Sequence, residues 1–135
     1  MSASSAEREA RRWLHYASND LDAAIALSQQ RAKFAAQICF LAQQAAEKSL
    51  KALLIREQIE FPLTHDLDRL RNALPDSYQT HQAHPDLAEL TEWAVEARYP
   101  TQAEPATPED AQRVLQQASA VWRSAHSDWH SPGAS

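Results

Sequence analysis

Apolar residues recur along this chain at the spacing of amphipathic helices. Between about Glu7 and Gln30, Trp13, Ala17, Leu21, Ala24 and Ser28 line one side, widened by Leu14 and Ile25. That is the i, i+3, i+4, i+7 pattern of a helix with one buried face. In Ile38–Leu54 the polar residues Gln44, Glu47, Lys48 and Lys51 fall within about 100° of arc, with Ile38, Leu41, Ala42, Ala45, Ala46, Ser49 and Leu53 opposite. The small Ala and Ser residues of that face let a neighbour approach closely, as in the central helix of a bundle. Glu47 stands four residues before Lys51, the favourable order for an exposed ion pair, and the whole polar stripe reads as solvated.

Punctuation between the periodic stretches is uneven. Arg31-Ala32-Lys33 signals a turn only weakly, having neither Gly nor Pro. The second helix is expected to reach about Gln58, because Pro62 bars its continuation. Thr64 is the expected N-cap of a short third helix through Leu74, stopped by Pro75-Asp76. Ser77–His84 reads as a polar loop in which His81 and His84 are solvated, since two histidines alone do not make a zinc site. Pro85 and Asp86 open a fourth helix, with Leu87, Leu90 and Ala94 on its apolar face, joined by Trp93 and Ala97, ending near Arg98-Tyr99-Pro100. Thr107-Pro108-Glu109-Asp110 combines an N-cap, a proline at N1 and first-turn acids, and starts a fifth helix carrying Val114, Leu115, Ala118, Val121, Trp122 and Ala125. The expectation is an all-α, antiparallel up-and-down bundle of about five helices over residues 7–128, with flexible ends at 1–6 and 129–135.

Composition narrows this further. The 135 residues suit one domain, and a single glycine, Gly133, disfavours sheets and tight turns. The lone Cys39, flanked by Ile38 and Phe40, reads as a small core residue in a reducing setting. No apolar run suits a signal peptide or a membrane span, so a cytoplasmic protein without membrane contact is expected. A formal net charge of −5 counts against a broad nucleic-acid surface and confines any RNA contact to a local basic patch. One glycine also excludes phosphate-binding glycine loops, and no cofactor or metal is indicated.

Three separated segments then carry a resemblance. AQQAAEKSLKALL within residues 42–54, Pro62-Leu63-Thr64-His65-Asp66-Leu67, and Ala97-Arg98-Tyr99-Pro100 together resemble the HEPN domain, the higher eukaryotes and prokaryotes nucleotide-binding family. An opening helix with Trp13, Ala17, Asp20 and Leu21 extends the likeness over roughly residues 8–126. The resemblance implies a helical bundle, commonly a homodimer, that binds nucleotides or RNA and in many members cleaves RNA. It also implies a toxin–antitoxin-like pairing with a minimal nucleotidyltransferase.

The candidate residues follow from both sources. Arg98 has the planar fork that suits phosphate and Tyr99 a ring on which a base can stack; equally, Arg98 can cap helix carbonyls and pair with Asp20 or Asp66. His65 and Asp66 stand where the backbone N–H groups opening the third helix can receive an anion, or serve there as packing and capping residues. Lys48 and Lys51 could edge a phosphate cleft or be plain solvated residues, and Asp20 could face that cleft or accept a bond from a neighbouring helix. Trp13 and Trp93, where the bundle leaves them exposed, would form a partner surface. Ribonucleases of the family use an arginine followed after four to six residues by a histidine. Arg98 is followed by YPTQAEPATP, without one. Arg123 and His130 have that spacing, though not at the family position, and are the candidates for a metal-independent endoribonuclease. The favoured reading is a nucleotide- or RNA-associated binding module; the alternatives are that ribonuclease and a non-catalytic dimeric scaffold.

Overall fold

The computed structural model describes residues 2–30, 32–94 and 105–131. Its frame is a pair of long helices, α1 (Ser2–Ser28) and α2 (Ala35–Arg56), joined by a 3-10 turn at Ala32–Phe34 and packed along their length. Four further helices follow: α3 (Leu67–Ala73), α4 (Gln79–Gln82), α5 (Ala88–Thr91) and α6 (Pro108–His130). The described residues are thus an all-α bundle without strands, in which α6 lies against α2 and α1 and the short helices close the remaining side.

The centre of the bundle is α2. Leu50, Leu53 and Leu54 are inaccessible to solvent, and Ala42, Ala45 and Ala46 allow α1 to come close. Of the α2 residues only Ala36, Gln37, Phe40, Leu41, Gln44, Lys48, Ile55 and Arg56 remain even partly exposed. The expected polar stripe is therefore half covered. Glu47 and Lys51 are only 5% and 9% exposed, so their ion pair is an interior one rather than the surface pair expected. The cause is tertiary: Trp13 of α1 and Phe61 of the following loop both sit over the Lys51 ammonium.

Helix ends obey local rules where the sequence supplies them. At α6 the expected N-cap Thr107 is in place: its hydroxyl accepts from Asp110 N–H while the Asp110 carboxylate accepts from Thr107 N–H, both at 3.0 Å, which makes a reciprocal capping box. The end of α2 comes before Pro62 can act. Gln58 takes a left-handed φ of 56°, its N–H donates to Ile55 C=O, and Ile59 N–H donates to Leu54 C=O. This is a Schellman turn with glutamine where glycine is usual. At α3 the N-cap is Asp66, not Thr64: the Asp66 carboxylate accepts from Asp68 and Arg69 N–H, and Thr64 Oγ1 accepts from Asp66 N–H.

The middle of the chain differs most from expectation. Ser77–His84 contains a helix, α4, because Asp128 of the distant α6 accepts from the N–H groups of Gln79 and Thr80 at 2.9 and 2.8 Å and from the Thr80 hydroxyl. His81 is half-buried, its Nδ1–H donating to Leu74 O at 2.8 Å, and His84 is buried; neither is the solvated loop residue expected. The fourth expected helix begins at Ala88 rather than Pro85, since Asp86 turns its carboxylate back onto Ala88 N–H. It ends at Thr91, and the end expected for it near Arg98-Tyr99-Pro100 lies outside the described residues. At the two ends α1 starts at Ser2, earlier than Glu7, and α6 runs through Trp129 and His130. There the Arg56 guanidinium stacks 4.4 Å from the Trp129 ring centroid and donates to the backbone oxygens of Asp128 and Trp129.

His84 makes the fold sensitive to acid. Ser124 gives its hydroxyl proton to Val121 C=O, so its oxygen accepts from His84 Nε2–H at 2.9 Å and the buried ring is neutral. Burial, and then the Arg71 charge, lower the affinity of His84 for a proton below the ordinary imidazole value of 6.5, against a smaller opposing pull from Asp128. The unfolded chain therefore binds this proton more readily than the folded one. The stability contributed is full above pH 6.5 and is lost as pH falls through the lower folded-state value. Thermal unfolding from about pH 8 to about pH 5 should show a falling midpoint, with a shallower fall for His84→Gln. Equal slopes would remove His84 as the cause.

Candidate functional site

His65 is the best-organised candidate among the described residues. It lies in the loop between α2 and α3, and its side chain is 64% exposed. Yet its Nδ1 is 2.8 Å from the buried Glu47 carboxylate. An exposed ring tied to an interior acid is held in one orientation. If the imidazole is neutral, Nδ1–H donates to Glu47 and Nε2 carries the lone pair.

Three α2 side chains one turn apart build the support. Glu47 Oε1 accepts from Gln43 Nε2 at 3.0 Å as well as from His65, and Oε2 accepts from Lys51 Nζ at 2.8 Å. Gln43 also reaches the His65 carbonyl, at 3.5 Å, and accepts from Gln44. Burial by itself would raise the Glu47 proton affinity. The hydrogen bonds from Lys51, Gln43 and His65, with the Lys51 charge, outweigh it and hold the carboxyl below the ordinary glutamate value of 4.5. The carboxylate thus stays ionised at neutral pH inside the bundle. Every buried polar side-chain atom among the described residues has a partner, as such a network requires.

The other expected site residues have separate fates. Lys48 donates to Asp20 of α1 at 2.6 Å, both partly exposed, so these two tie α2 to α1. Asp66 is engaged as the α3 cap, and Leu67 N–H donates to the Thr91 hydroxyl. The N–H groups expected to receive an anion at the start of α3 are therefore already occupied. Arg98 and Tyr99 lie outside the described residues. Arg123 and His130 are both exposed on α6, and no hydrogen bond or ring contact joins them among the described residues; the His130 ring faces that of His126, with centroids 6.5 Å apart. Trp93 is buried rather than exposed, because α5 turns it into the core, and Trp13 is half-buried over Lys51.

Gln43 beside His65, and Trp13 and Phe61 against the Lys51 ammonium, were not expected. A signal existed in the polar series Gln43, Glu47, Lys51 at i, i+4, i+8, which places three hydrogen-bonding groups in one row along the helix. Chemically the arrangement offers a positioned imidazole edge, able to bond a phosphate oxygen or exchange a proton, on a carboxylate whose other partner, Lys51, lies against the Trp13 and Phe61 rings.

Comparison with known proteins agrees with the helical architecture. The HEPN domain pattern matches residues 10–127. The crystal structure of TT1696 from Thermus thermophilus is similar with a TM-score of 0.71 and 25% identity, over 87% of this chain and 96% of that one. The crystal structure of ST0689, an archaeal HEPN homologue, is similar with a TM-score of 0.65 and 22% identity, over 88% and 96%. Among curated proteins, none matches the chain. No helix among the described residues is long and apolar enough to cross a membrane.

Proposed function

The chain belongs to the HEPN domain family, and from that premise we propose that it is a nucleotide- or RNA-binding module whose contact with phosphate or base is centred on His65. The observation that carries this reading is the exposed imidazole fixed by a buried, ionised Glu47. A surface histidine packed for stability alone does not need an interior carboxylate and a glutamine to set its orientation. Lys48, which pairs with Asp20 of α1, is proposed as a second contact and the Trp13 and Phe61 rings at Lys51 as stacking faces; Lys51 acts through Glu47 rather than by direct contact. Arg98 and Tyr99 are proposed as further contacts on the strength of the family-like segment that contains them. The same resemblance supports a homodimer and a minimal nucleotidyltransferase as companions in a toxin–antitoxin-like pair.

Binding rather than cleavage is favoured because the histidine expected after Arg98 in the family's ribonucleases is missing. Titration of the purified protein with AMP, ATP and a short single-stranded RNA tests the proposal. His65→Ala is expected to weaken the affected ligand about tenfold, as for loss of one hydrogen bond to a charged group, with the fold retained because the side chain is exposed. Unchanged affinity would remove His65 from the interface. RNA cleavage in EDTA that is lost in Arg123→Ala/His130→Ala would replace the binding reading with the ribonuclease one.

A further inference from the structure

A separate groove of about 670 Å³ runs between the end of α1, the start of α2 and the length of α6 from Pro108 to Arg123. At 1.5 Å per residue that stretch of α6 is about 22 Å long. Ile25, Ile38, Ala111 and Leu115 give the groove an apolar floor, and Ile25 is 39% exposed there. Gln29, Gln30, Gln112 and Gln116 line its sides, and their side-chain amides bond to no other described residue. Arg123 stands at one end. Arg11, Arg71 and Arg113 are each held by a carboxylate, but the Arg123 guanidinium has no partner among the described residues, and no carboxylate lines the groove.

These features select among occupants by chemistry. A nucleic acid strand repeats its charge and requires clustered cations, whereas this groove holds one. An alkyl chain would cover the glutamine amides without pairing them, at the cost of burying unsatisfied polar groups. An extended peptide satisfies both walls and floor. Its backbone N–H and C=O groups meet amides that can donate and accept, and alternate side chains point down.

We infer that this groove binds an extended segment of a partner protein, about seven residues long at 3.3 Å per residue, with alternating apolar side chains and a carboxylate at the Arg123 end. The site is independent of the His65 reading and uses none of its residues.

The test is an NMR titration of the full, 15N-labelled chain with two pools of acetylated heptapeptides. Both pools carry Leu, Ile, Val or Phe at alternate positions and Ser, Thr or Gln between; one ends in Asp and the other in Lys. The Asp pool is expected to shift the side-chain amide signals of the four glutamines, and the Lys pool to bind about tenfold more weakly. Arg123→Glu should reverse that preference, and Ser119→Trp, which fills the groove, should abolish both responses. Both variants change side chains outside the core, and an unchanged helical circular dichroism spectrum establishes their folding. Glutamine amides unmoved by millimolar pools, an equal response to the two pools, or shifts produced instead by decanoate or an oligonucleotide would each overturn the inference.

Discussion

Replacing Glu47 by alanine is expected to cost about 3–5 kcal/mol of folding stability, the usual cost of stranding one member of a buried ion pair. Lys51 would be left 9% exposed beneath Trp13 and Phe61 with its charge uncompensated, and Gln43 and His65 would each lose an acceptor. Chemical denaturation of the wild-type and Glu47→Ala proteins at about pH 7 measures the loss; a change below about 1 kcal/mol would mean that water reaches Lys51 and that the network is not interior. The double variant Glu47→Leu/Lys51→Met separates stability from site organisation. Removing both charges together is expected to restore most of the stability, because the desolvation of two ions disappears with their attraction. It should not restore ligand affinity, since nothing then orients His65. The network also predicts acid sensitivity. The folded-state proton affinity of Glu47 is lowered, so its contribution is full above about pH 4.5 and fades as pH falls below that value.

Asp128→Ala is expected to be nearly as costly, at about 3 kcal/mol. Asp128 is 6% exposed and is the sole N-terminal cap of α4, whose own N-cap residue Tyr78 makes no side-chain cap. The loss leaves the N–H groups of Gln79 and Thr80 without acceptors. It also removes the carboxylate that opposes the Arg71 charge at His84, so the folded-state proton affinity of His84 falls further and the pH dependence of stability steepens. Amide hydrogen exchange localises the effect: Thr80 should lose protection by a larger factor than Leu50 of α2. Equal loss at both would indicate global destabilisation only. Asp128→Asn, which keeps an acceptor but not the charge, should show a smaller loss.

Some of the site was readable in advance. His65 was identifiable as a histidine at the start of a short helix, and Asp20 as a carboxylate near an apolar face that accepts from a neighbouring helix, which is how it meets Lys48. Helical periodicity, however, records only that residues share a face. It placed Glu47 and Lys51 on the polar side of α2 without stating that Phe61, from a loop beyond the helix, would cover that side. Charged residues on a central helix are ambiguous for this reason: the same row can be solvated or can form an interior network, and the difference rests on which segments return over it.

By itself the sequence determined the helical class, the N-cap and first turn of α6 at Thr107–Asp110, the apolar faces of α2 and α6 and that of α1 except Ile25 and Ser28, which are exposed, and the family-like segments. All of these depend on residues within a few turns of one another, where propensity, capping and period act directly. Only the tertiary structure decided that Ser77–His84 holds a helix, that His84 is buried, and that Glu47 lies inside and aims His65 outward. Each of those depends on a partner far along the chain: Asp128 for α4, Ser124 for His84, and Trp13 and Phe61 for the Glu47–Lys51 pair. A residue's local pattern fixes the hydrogen-bonding groups it offers; which of them are removed from water is set by the chain that packs across them.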